Sequence, residues 1–325
     1  MSRTCFTTSV LFLSALSSPL FACDLCSVYN APLAHGLVEK GFHVGIAEQF
    51  THFGTLQFEG HEVRNEAHQR LDSSVSQVAV GYHFTDRFGI QFSLPVIHRS
   101  FRRVEGGEID RGTESGLGDA AFSGNFVVLR RDREEWSLVW SVLGGVKFPT
   151  GDTGRLREEL NEGNFDPGLP GLPFLVESAV HGHDLTLGSG SYDGFAGTDF
   201  YTRWRRLFFT AGTQYAIRTR GDFGYRYAND LSWAGGPGAY LVFGEEFTLG
   251  LQAGVSGESK GRDRFCGESA EDTAITAVYV GPRLSLSWKG RLSAEAGVSL
   301  PVDIQNSALQ SVPDYRVQAG LVWRF

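Results

Sequence analysis

Residues 314–325 read DYRVQAGLVWRF, and the alternation of this stretch decides the fold. Tyr315, Val317, Ala319, Leu321, Trp323 and Phe325 fall on one face, and Arg316, Gln318, Gly320, Val322 and Arg324 on the other. Successive side chains of a strand point to opposite sides, so this strand is apolar on one side and mostly polar on the other. Such a strand suits a wall between lipid and water. A two-sheet soluble sandwich would show the same period, so the rest of the chain must separate the two.

Reading outward for period two and turn signals yields about twelve strands, near 41–52, 73–84, 88–98, 115–130, 135–148, 190–204, 206–218, 228–243, 246–258, 273–288, 291–302 and 314–325. Phe88, Ile90, Phe92, Leu94 and Val96 make an apolar face backed by Gly89, Gln91 and Ser93. Phe247, Leu249, Leu251, Ala253 and Val255 are backed by Thr248, Gly250, Gln252 and Gly254. The connections discriminate. Tight turns at Thr85-Asp86-Arg87, Arg131-Asp132-Arg133-Glu134, 204–206, Gly244-Glu245 and Lys289-Gly290 alternate with long segments at 53–72, 99–114, 149–189, 219–227, 259–272 and 303–313. Short turns at one rim and long loops at the other are the asymmetry of outer-membrane barrels. The expected fold is all-β: a single transmembrane up-and-down antiparallel β-barrel over residues 41–325, with short periplasmic turns and long extracellular loops.

The start of the chain agrees. Arg3, the apolar run around Val10-Leu11-Phe12-Leu13, then Ser17, Ser18 and Pro19 have the layout of a secretory signal peptide over residues 1–22. No later run approaches the ~18 apolar residues of a membrane helix. An exported chain carrying membrane-type strands belongs in the outer membrane of a diderm bacterium, among its lipid and lipopolysaccharide. Leu20-Phe21-Ala22-Cys23 partly resembles a lipobox, which would put a lipid on Cys23. Forty-one glycines, one methionine and 13% aromatics fit a small-residue lining with an aromatic exterior. A net charge of -8 argues against nucleic acid as a partner.

Three stretches carry a resemblance: Ser115-Gly116-Leu117-Gly118-Asp119, Gly144-Gly145-Val146-Lys147-Phe148-Pro149-Thr150-Gly151-Asp152, and Leu187-Gly188-Ser189-Gly190-Ser191-Tyr192-Asp193. In order and spacing they resemble a family of outer-membrane proteins named for the meta-cleavage pathway of phenol degradation (MetA-pathway-like), over about residues 40–325. The resemblance implies a transporter barrel with passive passage of small molecules, aromatic or apolar ones included. A terminal Phe325 on such a strand likewise looks like the tag read by the barrel-assembly machinery. Read physically, the three stretches need no chemistry: their glycines allow kinks and close backbone approach.

Residues 23–40 form the expected periplasmic segment, with Cys23-Asp24-Leu25-Cys26 at its start. That pair reads as a disulfide in an oxidising compartment, with metal binding as the other reading. His35 and His43 are near in sequence, and residues 27–40 could fold in as a partial plug. Cys266 is expected as a lone thiol in an outer loop. His52, His61, His68, His181 and His183, and the carboxylate-rich runs 155–162 and 257–272, are expected on solvated loops. No paired carboxylates sit on a rigid face, so neither enzyme chemistry nor a cofactor is expected. A lipid-facing phospholipase would need a Ser–His pair, and His98 faces outward with no outward Ser partner evident in the sequence.

By parity Gln77, His83, Gln91, Asp119, Asn125, Lys147, Asp199, Arg203, Gln214, Arg218, Gln252, Arg283, Glu295 and Gln318 point inward as lumen lining. The expectation is a passive channel or transporter for small-molecule solutes. The competing expectation is a non-conducting barrel whose CxxC segment binds metal or docks a redox partner.

Overall fold

A computed structural model describes residues 40–158 and 178–325. The signal segment, the lipobox, Cys23, Cys26 and, but for Lys40, the plug expectation for residues 27–40 therefore lie outside the described residues. In chain order the strands are β1 (Gly41–Phe58), β2 (His61–Val63), β3 (Arg70–His83), β4 (Phe88–Glu105), β5 (Glu108–Leu117), β6 (Ala121–Asp132), β7 (Trp136–Lys147), β8 (Asp193–Trp204), β9 (Leu207–Ile217), β10 (Tyr225–Arg226), β11 (Asp230–Phe243), β12 (Phe247–Lys260), β13 (Arg264–Phe265), β14 (Glu268–Ser269), β15 (Ile275–Trp288), β16 (Leu292–Asn306) and β17 (Leu309–Arg324). Antiparallel neighbours follow chain order around the sheet, and β17 pairs back onto β1. The result is a closed twelve-strand barrel. Closure is physically required, because an open sheet edge would leave unpaired N–H and C=O groups in hydrocarbon.

The apolar faces point outward. Ile46, Val80, Phe92, Phe122, Trp140, Phe209, Leu251, Leu284, Leu300 and Leu321 are all exposed around the circumference. Phe42, Phe84, Phe88, Trp136, Trp204, Phe243, Phe247, Trp288 and Phe325 girdle the short-turn rim. In water these side chains would be a large aggregating surface. Against lipid they are the band and aromatic girdle of a membrane barrel. No described helix is long and apolar enough to cross a membrane.

The tight turns use backbone geometry suited to them. Arg205, Lys289 and Gly290 adopt positive φ values of 54°, 51° and 67°, which lets the chain reverse in two or three residues. Both ends of the barrel meet at this rim, where the N–H of Phe325 donates to the carbonyl of Phe42 at 2.9 Å.

The structure revises the far rim. Three expected loops are largely strand. β4 and β5 continue through 99–114 as a hairpin turning at Gly106-Gly107, and β16 and β17 extend through 303–313 around Ser307-Ala308. β1 likewise runs on to Phe58. The expected strand 115–130 is broken at residues 118–120, so that β4 pairs with β6 below the break and β5 above it. Of the segment expected as an outer loop at 149–189, the described residues 178–189 turn inward. They carry α1 (Gly182–Leu185), and Val180 and Leu185 pack inside the mouth with Leu71 and Phe101. The 257–272 run is not simply solvated either. With β10 it forms a small three-stranded sheet, β10-β13-β14, and Asp263, just before β13, is wholly buried.

Candidate functional site

The interior is narrowed at two levels. At the short-turn end His43 and His83 lie with ring centroids 5.0 Å apart. His43 donates through Nε2 to Gln91 Oε1 at 3.3 Å. Asn125 continues the row, since His83 pairs with Gly89 and Gly89 with Asn125. Next, Val127, Val139, Tyr201, Phe208 and Tyr240 cluster inside the wall. The hydroxyls of Tyr201 and Tyr240 meet at 2.8 Å, so neither phenol is buried without a partner.

Three cavities line up along this interior. The one nearest the short turns holds about 280 Å³ and is bordered by Ser137, Val139, Tyr201, Arg203, Tyr240 and Ser285. The central one, about 200 Å³, is lined by Gln49, Asp199, Gln214, Arg283, Glu295 and Gln318 among others. The third, about 70 Å³, lies at the mouth against His183, Asp184 and Asp272. Val139 and Tyr201 border both lower cavities, and Glu258 and Arg316 border both upper ones. These pairs are necks between successive spaces.

The polar lining is partly cross-linked. Gln318 donates to Gln49 Oε1 at 2.7 Å, and Gln252 donates to Thr210 Oγ1 at 2.7 Å and to the Gly236 carbonyl at 2.8 Å. Arg316 donates to Glu258 Oε1 at 2.9 Å and lies over the Tyr279 ring, 4.5 Å from its centroid. Asp199 Oδ2 is buried without a hydrogen bond. Gln77 is nine-tenths buried on β3. Arg203 braces the turns instead, because its guanidinium donates to the carbonyls of Arg133, Glu134 and Arg205.

Asp119, Lys147 and Arg218 form a buried clasp. Lys147 Nζ lies 2.8 Å from Asp119 Oδ2 and 2.8 Å from Asp193 Oδ2. Arg218 bonds Asp193 at 2.9 Å and Asp230 at 2.7 Å. Asp119 also accepts the backbone N–H groups of Gly151 and Ser189, at 3.0 and 2.9 Å. Burial opposes charge on Asp119, but the Lys147 ammonium and those two N–H groups hold its carboxyl below the usual range. All three motif stretches named above thus converge at one point. Their glycines serve close approach: a Cβ on Gly188 would fall 2.6 Å from the Gly151 carbonyl oxygen, and one on Gly151 2.6 Å from that of Leu187.

The inward segment is fixed from other directions as well. Arg99, 2% exposed, donates to the carbonyls of Asp184 and Thr186. Gln69 Oε1 accepts from the backbone N–H groups of Val104 at 3.2 Å and Ala179 at 3.1 Å. Tyr227 donates to the His183 carbonyl at 3.1 Å. His183 is therefore not a solvated loop residue but 4% exposed. Local polarity could not announce this, because every partner is distant in sequence. Arg155, expected on a solvated run, pairs with Glu114 and Glu158.

On the outer face His98 does have a serine neighbour. Its Nδ1 lies 2.6 Å from Ser115 Oγ, because His98 and Ser115 are directly opposed across β4 and β5. Sequence reading missed it by treating 99–114 as a loop and thereby losing the hairpin register. No third group orients His98 among the described residues, so the full relay of a serine hydrolase is not assembled there. Cys266 is a free, exposed thiol.

No protein-family model matches the chain, and no curated protein matches it. Solved structures do. An outer-membrane channel from Pseudomonas putida F1 is 15% identical with a TM-score of 0.60, over 88% of this chain and 96% of that one. The β domain of a Bordetella autotransporter is 9% identical with a TM-score of 0.45, over 88% of this chain and 100% of that one. The first likeness supports the outer-membrane barrel fold; the second is too loose to add to it.

Proposed function

We propose that this protein is an outer-membrane channel for passive passage of small molecules. The observation that carries the reading is the succession of three cavities inside a closed, lipid-facing barrel, each sharing lining residues with the next. Spaces of about 200–280 Å³ that share an aliphatic and aromatic border favour compact, weakly polar solutes, and aromatic ones suit Tyr201 and Phe208. Asp199, Arg283, Glu295 and Gln318 would line the route, and the phenol meta-cleavage resemblance points to the same solute class. In this reading the barrel sits among outer-membrane lipid and lipopolysaccharide, and the exposed Phe325 at the end of β17 serves as the assembly tag.

Proteoliposome swelling and planar-bilayer conductance test it. Flux is expected for monoaromatic and short aliphatic solutes, with exclusion of disaccharides. A folded barrel with neither conductance nor solute flux sinks the proposal. It would leave the non-conducting scaffold, whose Cys23–Cys26 segment binds metal or docks a redox partner.

A further inference from the structure

The inward segment and the opposite outer loop place three metal-binding side chains together: His181, His183 and Asp272. One ligand atom from each lies within 4.8 Å of the other two. His181 Nδ1 is 3.0 Å from Asp272 Oδ2, yet it is a buried nitrogen with no well-formed hydrogen bond. The two imidazoles stack nearly parallel, centroids 5.5 Å apart and planes 12° apart. We infer that His181, His183 and Asp272 bind a divalent transition-metal ion of the zinc class, stapling the inward segment to the wall of the mouth.

Two imidazoles and one carboxylate are a donor set that suits Zn²⁺, with an open position for water or a fourth ligand. Tetrahedral bonds of roughly 2.0–2.1 Å put ligand atoms about 3.3 Å apart. The Asp272–His181 separation nearly meets this already, and small side-chain rotations would draw in His183. The supporting groups are in place. Asp184 Oδ2 accepts the backbone N–H of His181 at 3.0 Å, and its other oxygen stands 3.4 Å from His183 Nε2. Such outer carboxylates orient histidine ligands. The nearby Lys260 is neutralised by Asp263 at 2.6 Å and covered by the Tyr227 ring, so it leaves the three ligands to the ion. The small cavity beside His183 and Asp272 gives the ion room to enter.

Because each half of the site sits on a different loop, an ion would cross-link segment 178–192 to the turn at Glu271–Thr273. The test uses full-length barrel in detergent, chelator-treated, in a Cys23→Ser/Cys26→Ser background. Zn²⁺ is titrated by calorimetry, and Co²⁺ is followed by its visible ligand-field bands. One ion per barrel is expected, with at least tenfold weaker binding in His181→Ala and in Asp272→Asn. Heat-modifiable gel mobility reports that each variant is folded, and wild-type Co²⁺ spectra stand independently of the variants. Unchanged affinity in folded Asp272→Asn, or loss of all binding once the two cysteines are replaced, overturns the site.

Discussion

Lys147 Nζ lies 2.8 Å from Asp193 Oδ2, and both side chains are almost fully buried. The two residues are register partners across β7 and β8. This ammonium also reaches Asp119 and Ser189, so one cation ties the strand break, the inward segment and the start of β8 together.

Removing it should therefore loosen the mouth. Lys147→Met leaves Asp119 buried without its cation and Asp193 with Arg218 alone, a class of change that costs about 3–5 kcal/mol. Limited proteolysis should cut within residues 148–192 at least tenfold faster, and single-channel conductance should rise. Equal protease resistance would show that Arg99 and Gln69 hold the segment unaided.

Acid should release the clasp only late. The Asp119 carboxyl is held below its ordinary value, so the folded protein binds fewer protons there than the unfolded chain does. Its stabilising contribution is complete above about pH 4 and fades as pH falls through the lower folded value. Protease protection of the mouth should be constant from pH 7 to 5 and drop below the ordinary carboxylate range. Asp119→Asn should flatten that acid limb.

Gly188→Ala tests the close approach at the same point. Its Cβ would meet the Gly151 backbone, which cannot rotate away as a side chain could. A loss of about 1–3 kcal/mol is expected from overpacking, read as a lower unfolding midpoint in urea. Gly60→Ala is the reference for glycine replacement as such: no atom lies within 4 Å, and its φ of 80° carries only backbone strain.

The aromatic neck should set throughput and the charged neck should set selectivity. Tyr240→Ala removes the partner of Tyr201 and should raise conductance several-fold with little change in ion preference. Glu258→Gln leaves Arg316 without its carboxylate, and reversal potentials in a salt gradient should shift toward anions. A shift toward cations would contradict the placement of Arg316 in the path.

Much of the wall was legible from the chain. Parity alone assigned Gln91, Gln214, Gln252 and Gln318 to the inner face as an expectation, because neighbouring side chains of a strand alternate whatever the rest of the fold does. The far rim was less legible. Glycine and charge in 99–114 read as loop, whereas the paired backbone of β4 and β5 carries them as strand, and the His98–Ser115 contact was lost with that register.

What the sequence determined by itself is the alternation, and with it the strand number, the lipid-facing side and the rim that carries the tight turns. These follow from a period of two residues, which is a local property. Only the tertiary structure decided that segment 178–192 turns inward, that Asp119, Lys147, Ser189 and Asp193 meet, and that His181 and His183 face Asp272. Those contacts join residues tens of positions apart, as with Asp119 and Ser189, and closing the cylinder is what makes them neighbours.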